Sequence, residues 1–296
     1  MFPFALCYAC YAAAFMLEIF RLGAHDRKVF YAHNAGVYPA IAGFIVHSYL
    51  LCQQHIVAVH PLNGPTMFFL VSAWGLVLIY IIWSYYYPHI PFGIVLLPIV
   101  LVLTGTGYKS VTVIETIEPS SRSVAKMLHA APAAGTMIAL SIACTCCLFY
   151  LLESYLLRNK RPFSPLLKLP SLEWSLSVFR ISCAVAIGFL CLCALGGVLL
   201  NIHRDNMMSV WRDPIIVGTS CLLLILLFGS LKWLFRSPRT TENRFVFMLV
   251  MTVFLTFLFL LVIVFVSSNA HWNKPRAVGS SFYDDVPQSS LYAQRH

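Results

Sequence analysis

Met67–Tyr108 reads MFFLVSAWGLVLIYIIWSYYYPHIPFGIVLLPIVLVLTGTGY, two apolar runs parted only by the link YYPHIP. Each run is close to the ~20 residues that cross the hydrocarbon of a bilayer. Neither alternates polar and apolar residues as a barrel strand does, so both predict helices, which satisfy their own backbone groups in lipid. A link this short makes the two helices a tight antiparallel pair. The same pattern recurs outward along the chain, giving apolar runs at Phe2–Phe20, Ala35–Val57, Met67–Tyr86, Ile90–Tyr108, Met127–Leu152, Trp174–Leu200, Pro214–Phe235 and Phe245–Ser268. The expected fold is all-α, a polytopic integral membrane protein with about eight transmembrane helices. The bundle occupies residues 1–272, and a polar tail follows at 273–296, whose GSSFYDDVPQSS stretch has the composition of a mobile segment.

Composition supports that architecture. Of 296 residues, 59% are hydrophobic and 10% charged, more apolar surface than a soluble domain of this size can bury. The net charge of +9 comes from basic residues lying between apolar runs, which points to membrane lipid as the partner and not to nucleic acid. Lys and Arg are more numerous in the connections after the first, fifth and seventh runs (Arg21, Arg27, Lys28; Arg158, Lys160, Arg161, Lys168; Lys232, Arg236, Arg239, Arg244) than on the opposite face. With an even number of crossings, this asymmetry puts both termini on the extracytoplasmic side. The first run lacks a basic n-region and a small-residue cleavage site, so it reads as a retained helix.

Two motifs dissolve on inspection. Cys7 and Cys10, and likewise Cys144 and Cys147, have C-x-x-C spacing but fall inside apolar runs, where they serve as small packing residues; no C-x-x-C-H occurs for covalent haem attachment. TGTGYKS at Thr104–Ser110 follows neither a strand nor a pore helix, so it is neither a phosphate loop nor an ion filter.

The polar exception is Asn201–Val217, NIHRDNMMSVWRDPIIV. Asp213-Pro214 suits a helix start, with Asp accepting orphan amides and Pro in the first turn, and Trp211 suits a membrane interface. His129, at the outer start of the fifth run, and His271, beyond the outer end of the eighth, share a face with this segment. Two neutral imidazoles, an aromatic platform at Trp211 and arginines at Arg204 or Arg212 for the propionates are the parts a non-covalent b-type haem needs. His47 lies deep in the second run, where an ionisable residue either marks function or bonds to a neighbouring helix. His203 is near enough in sequence to substitute as a ligand.

From about Lys126 to Trp272 the chain resembles the cytochrome c assembly family, the group that includes CcsA, CcmC and HemX-type membrane proteins. The resemblance rests on MLHAAP at Met127–Pro132, LFYLLESYLLRNK at Leu148–Lys160, LPSLEWSLSVFRISCAVAIGF at Leu169–Phe189, Gly196-Gly197, VWRDP at Val210–Pro214 and His271. It implies His129 and His271 as axial ligands to haem b, Trp211 on the platform, Asp213 as the closing acid of the motif, and apocytochrome c or another assembly subunit as partner. It also implies a bacterial cytoplasmic membrane. The family's tryptophan-rich motif is reduced here to the single Trp211, with Arg212 at an aromatic position. No self-contained catalytic site is evident. Three readings follow: a haem-handling protein of cytochrome c biogenesis, a HemX-like scaffold or regulator without haem, and a small-solute transporter, the last weakened by the absence of a matched inverted repeat.

Overall fold

The computed structural model describes residues 2–23, 29–57, 65–109, 120–160 and 169–201, with single helical positions at Cys221, Leu224, Ile225, Phe228 and Met251. The described chain is helical, in the order α1 (Phe2–Gly23), α2 (Val29–Val57), α3 (Pro65–Tyr86), α4 (Gly93–Lys109), α5 (Ser120–Arg158) and α6 (Leu172–Asn201). Five of these are long and apolar enough to cross a membrane, and the apolar stretch of α4, Gly93–Gly107, is shorter. The seventh and eighth expected spans, Pro214–Phe235 and Phe245–Ser268, and the tail from Asn273 lie outside the described residues apart from those single positions. Six helices among the described residues, five of them of membrane-spanning length and apolarity, are the architecture of a helical membrane protein.

Residues 87–92 turn α3 into α4 as the short link requires. Tyr87 N donates to the Trp83 carbonyl at 2.8 Å, Ile90 N to Tyr87 O at 3.1 Å, and Leu96 N to Phe92 O at 3.1 Å, so the helical bonding resumes at once. Helix α1 packs against α2 and α4, α3 against α2, α4 and α5, and α6 chiefly against α5. The first four helices thus form a four-membered group, with the α5–α6 hairpin applied to its α3–α4 side. Tyr11, Phe69, Tyr80, Phe92, Leu97 and Met137 fill the interior. The outer surface carries exposed Phe20, Ile45, Ile181 and Leu195, which is the distribution lipid requires and water penalises.

Apolar packing between helices gains little over contact with lipid, so close approach and hydrogen bonds hold the bundle. A Cβ on Gly43 would lie 2.6 Å from the Tyr11 ring, and one on Gly135 would lie 2.9 Å from the ring of Phe189. The buried hydroxyls of Ser72, Thr136, Ser141 and Thr145 each return a bond to the carbonyl four residues back, at 2.7 to 2.9 Å, and so carry no unsatisfied donor into the interior. Cys7, Cys144, Cys146, Cys147, Cys183 and Cys193 are buried free thiols. Thr104–Lys109 is the last turn and a half of α4, where Gly105 approaches Tyr8 and Gly107 approaches Leu70.

Several helices exceed their expected bounds, α5 by the most. α5 has 39 residues, about 58 Å at 1.5 Å per residue, roughly twice the thickness of a hydrocarbon core. It begins at Ser120 because SSRSVAK, polar enough to read as a loop, continues the helix outside the apolar zone. α1 runs to Gly23, so Arg21, counted among the connecting cations, is a helix residue and is buried.

Glycine substitutions separate packed from lipid-facing positions. Gly43→Ala should lower stability by about 1–3 kcal/mol, the usual cost of overpacking, because the buried Tyr11 ring has nowhere to move. Gly188→Ala, where an added Cβ meets nothing within 4 Å, should leave stability unchanged or slightly higher. Thermal unfolding of the two variants in mild detergent measures the difference, and equal losses would contradict this packing.

Candidate functional site

His129 stands at the edge of the apolar stretch of α5, Leu128–Arg158, and is half-buried. Its Nδ1 lies 2.8 Å from the backbone carbonyl oxygen of Cys193 on α6 and 3.3 Å from the Cys193 Sγ. A carbonyl only accepts, so the network assigns a proton to Nδ1, and in the neutral ring Nε2 then keeps its lone pair. Nε2 makes no hydrogen bond to a described residue. An imidazole held through Nδ1–H, with its other nitrogen bonded to no described residue, is the donor arrangement of a metal-ligating histidine, and it would suit an axial ligand of haem iron. Cys193 is two turns before Asn201, where α6 ends and the His203–Asp213 segment begins, so His129 sits at that end of the hairpin. Arg204, Trp211, Arg212, Asp213 and His271 lie outside the described residues. Among the described residues no three metal-ligating side chains cluster.

His47 is fully buried in α2, and its Nδ1 is 3.0 Å from the Tyr11 hydroxyl of α1. The ring centroids are 6.0 Å apart with planes tilted by 54°. This is the interhelical bond weighed for a histidine at this depth. Its Nε2 has no hydrogen-bond partner among the described residues. Beside this pair, Trp74 Nε1 on α3 donates to Ser48 Oγ at 2.9 Å, a second polar tie between helices.

A third polar group lies at the opposite end of the bundle from His129 and was not anticipated. Glu18, 2% exposed, accepts a hydrogen bond from Tyr80 Oη at 2.8 Å through Oε1, while its Oε2 lies 3.4 Å from Arg21 Nη1. Arg21 Nη2 donates to the carbonyl of Pro88 in the α3–α4 turn. Gly93 makes room, since a Cβ there would be 2.7 Å from Glu18 Cγ and 2.9 Å from Tyr80 Cε2. One ion pair on α1 thereby grips α3, the turn and the start of α4. The sequence does carry a signal: Glu18 is an acid inside an apolar run, and such residues pair with something.

The same end is ringed with aromatics. Trp174 meets Trp83 and Tyr87 edge-on at centroid distances of 5.8 and 5.5 Å. Ser171 caps α6, accepting from Trp174 N at 3.3 Å. An open cleft of about 330 Å³ runs between Tyr86–Ile90 and Leu169–Trp174, in the position of an interfacial aromatic belt. His89 lines it, a full helix length from His129.

Comparison with family models, with curated proteins and with solved structures gave no match.

Removing one member of the buried ion pair strands the other charge. Glu18→Leu and Arg21→Leu should each destabilise the protein by about 3–5 kcal/mol, and the double variant by clearly less than their sum. Unfolding in graded detergent tests this coupling, and strictly additive losses would show that the pair does not act as one.

Proposed function

We propose that this protein handles haem at the extracytoplasmic face of a bacterial cytoplasmic membrane, holding haem b for delivery to apocytochrome c. The observation that carries the reading is His129: a half-buried imidazole at the edge of the apolar stretch, with Nδ1 engaged by the Cys193 carbonyl and Nε2 bonded to no described residue. The site lies at the end of α6 that leads directly into the His203–Asp213 segment, and the resemblance from Lys126 to Trp272 assigns the matching position in its family to an axial ligand.

In this reading His129 and His271 would supply the two imidazoles, Trp211 would be the aromatic platform, Arg204 or Arg212 would pair with the propionates, and Asp213 would be the closing acid of the segment. The bound group supplies iron whose reduced state permits thioether formation on the acceptor's cysteines. The chain's own task is ligation, orientation and shielding from water. An apocytochrome c or another assembly subunit is the partner on the outer face, and both termini share that face. A haem-free scaffold of the HemX kind is the second reading, favoured by the reduction of the aromatic motif to the single Trp211.

Reduced-minus-oxidised spectra of the protein purified in mild detergent test the two against each other. The parent chain should carry a b-type spectrum. His129→Ala and His271→Ala should each weaken haem binding by at least the roughly 10–100-fold seen when only an outer partner of a ligand is lost, with partial recovery on adding imidazole. His89→Ala should retain the spectrum. A parent chain free of haem would leave the scaffold reading.

Orientation is tested separately. Single cysteines set beside His129, Trp211 and His271, in a background without reactive native thiols, should react with a membrane-impermeant reagent in intact cells. Labelling of any one of them only after permeabilisation would separate the three residues and break the site.

A further inference from the structure

The strongest geometry around His129 comes from α6. Cys193, Gly196 and Gly197 stand at i, i+3 and i+4 and so share one face of that helix. A Cβ on Gly196 would fall 2.8 Å from both the backbone nitrogen of His129 and the carbonyl oxygen of Leu128, so the two helix backbones touch here. Pro132, four residues after Leu128, has no N–H to give that carbonyl the usual helical bond. A Cβ on Gly197 would lie 3.4 Å from His129 Nδ1 and 3.5 Å from its Cε1. The imidazole therefore rests directly on bare helix backbone.

We propose that this notch, formed by Cys193, Gly196 and Gly197, is the positioning device that makes His129 Nε2 the ligating nitrogen; its bearing on iron rests on the haem reading above. Within α6 the Cys193 carbonyl accepts the N–H of Gly197 through the regular helical bond, and its second lone pair takes Nδ1–H of His129. A side chain at position 197 stands over that second lone pair. Gly196 sets the helix separation, Gly197 keeps the approach open, and Cys193 contributes its backbone oxygen and, at 3.3 Å, a weaker contact from sulfur. The carbonyl fixes the tautomer, holds the ring plane and strengthens Nε2 as an electron donor. A stronger imidazole donor favours ferric over ferrous iron, so the notch also lowers the potential of a haem bound through His129.

The test separates the notch from the haem reading. Full-length protein is labelled with nitrogen-15 histidine and kept free of haem, and the His129 signals are identified by their loss in His129→Ala. The parent chain should show a protonated Nδ1 and an unprotonated Nε2. Gly197→Ala, whose methyl just reaches van der Waals contact, should keep that pattern, whereas Gly197→Val should lose it to mixed tautomers. A proton on Nε2 in the parent chain overturns the proposal, as does an unchanged tautomer in Gly197→Val; should that variant fail to fold, the parent chain alone decides. In haem-loaded protein, Gly197→Val should raise the midpoint potential and weaken binding about 10–100-fold. An unchanged potential in that variant overturns the notch while sparing the haem reading. A parent chain without haem overturns the haem reading and leaves the tautomer to judge the notch.

Discussion

In hydrocarbon, a helix gains nothing from hiding leucine, because lipid is as apolar as its neighbour; what remains is fit and the few polar bonds that lipid cannot supply. The Glu18–Arg21 pair concentrates that constraint. Two charges withdrawn from water hold together only where polar partners meet them, and here the partners come from two other elements, Tyr80 on α3 and the Pro88 carbonyl of the turn, with room left by Gly93 on α4. Moving α1 away from α3 or the turn strands a charge. The arrangement of α1 against the α3–α4 hairpin follows from that, and the α5–α6 hairpin is then built onto the hairpin's other side through Phe149 and Trp174 against Phe92.

Much of the helical architecture can be read from composition because a membrane leaves few alternatives. An apolar run of the right length must be helical, and the α3–α4 pairing follows from a link too short for anything else. The misjudged ends have a common cause. Ser120–Lys126 is polar, and polarity distinguishes water from lipid, not helix from loop, so the N-terminal extension of α5 is not legible in the sequence. Arg21 read as a loop cation because the apolar window ended at Phe20, although its partner Glu18 sits one turn earlier.

The site divides in the same way. That His129 lies at an end of the bundle follows from its position in its run. That a backbone oxygen holds its ring does not, since a carbonyl on another helix is the same atom whatever the side chain. Gly196-Gly197 is visible as a pair, yet its role depends on which helix it meets. The Tyr11–His47 bond was within reach of the principle that buried imidazoles find partners, but the partner, 36 residues away, could be named only from the fold. Glu18 and Tyr80, 62 residues apart, illustrate the same limit.

The buried cysteines carry a consequence for thiol chemistry at the membrane. Disulfide exchange proceeds through a thiolate that can reach an attacking or attacked sulfur. Cys7, Cys144, Cys146, Cys147, Cys183 and Cys193 are packed inside a lipid-embedded bundle, where forming an anion is unfavourable and a partner's sulfur cannot approach. Of the ten thiols in the chain, six are therefore held out of reach of mixed-disulfide chemistry.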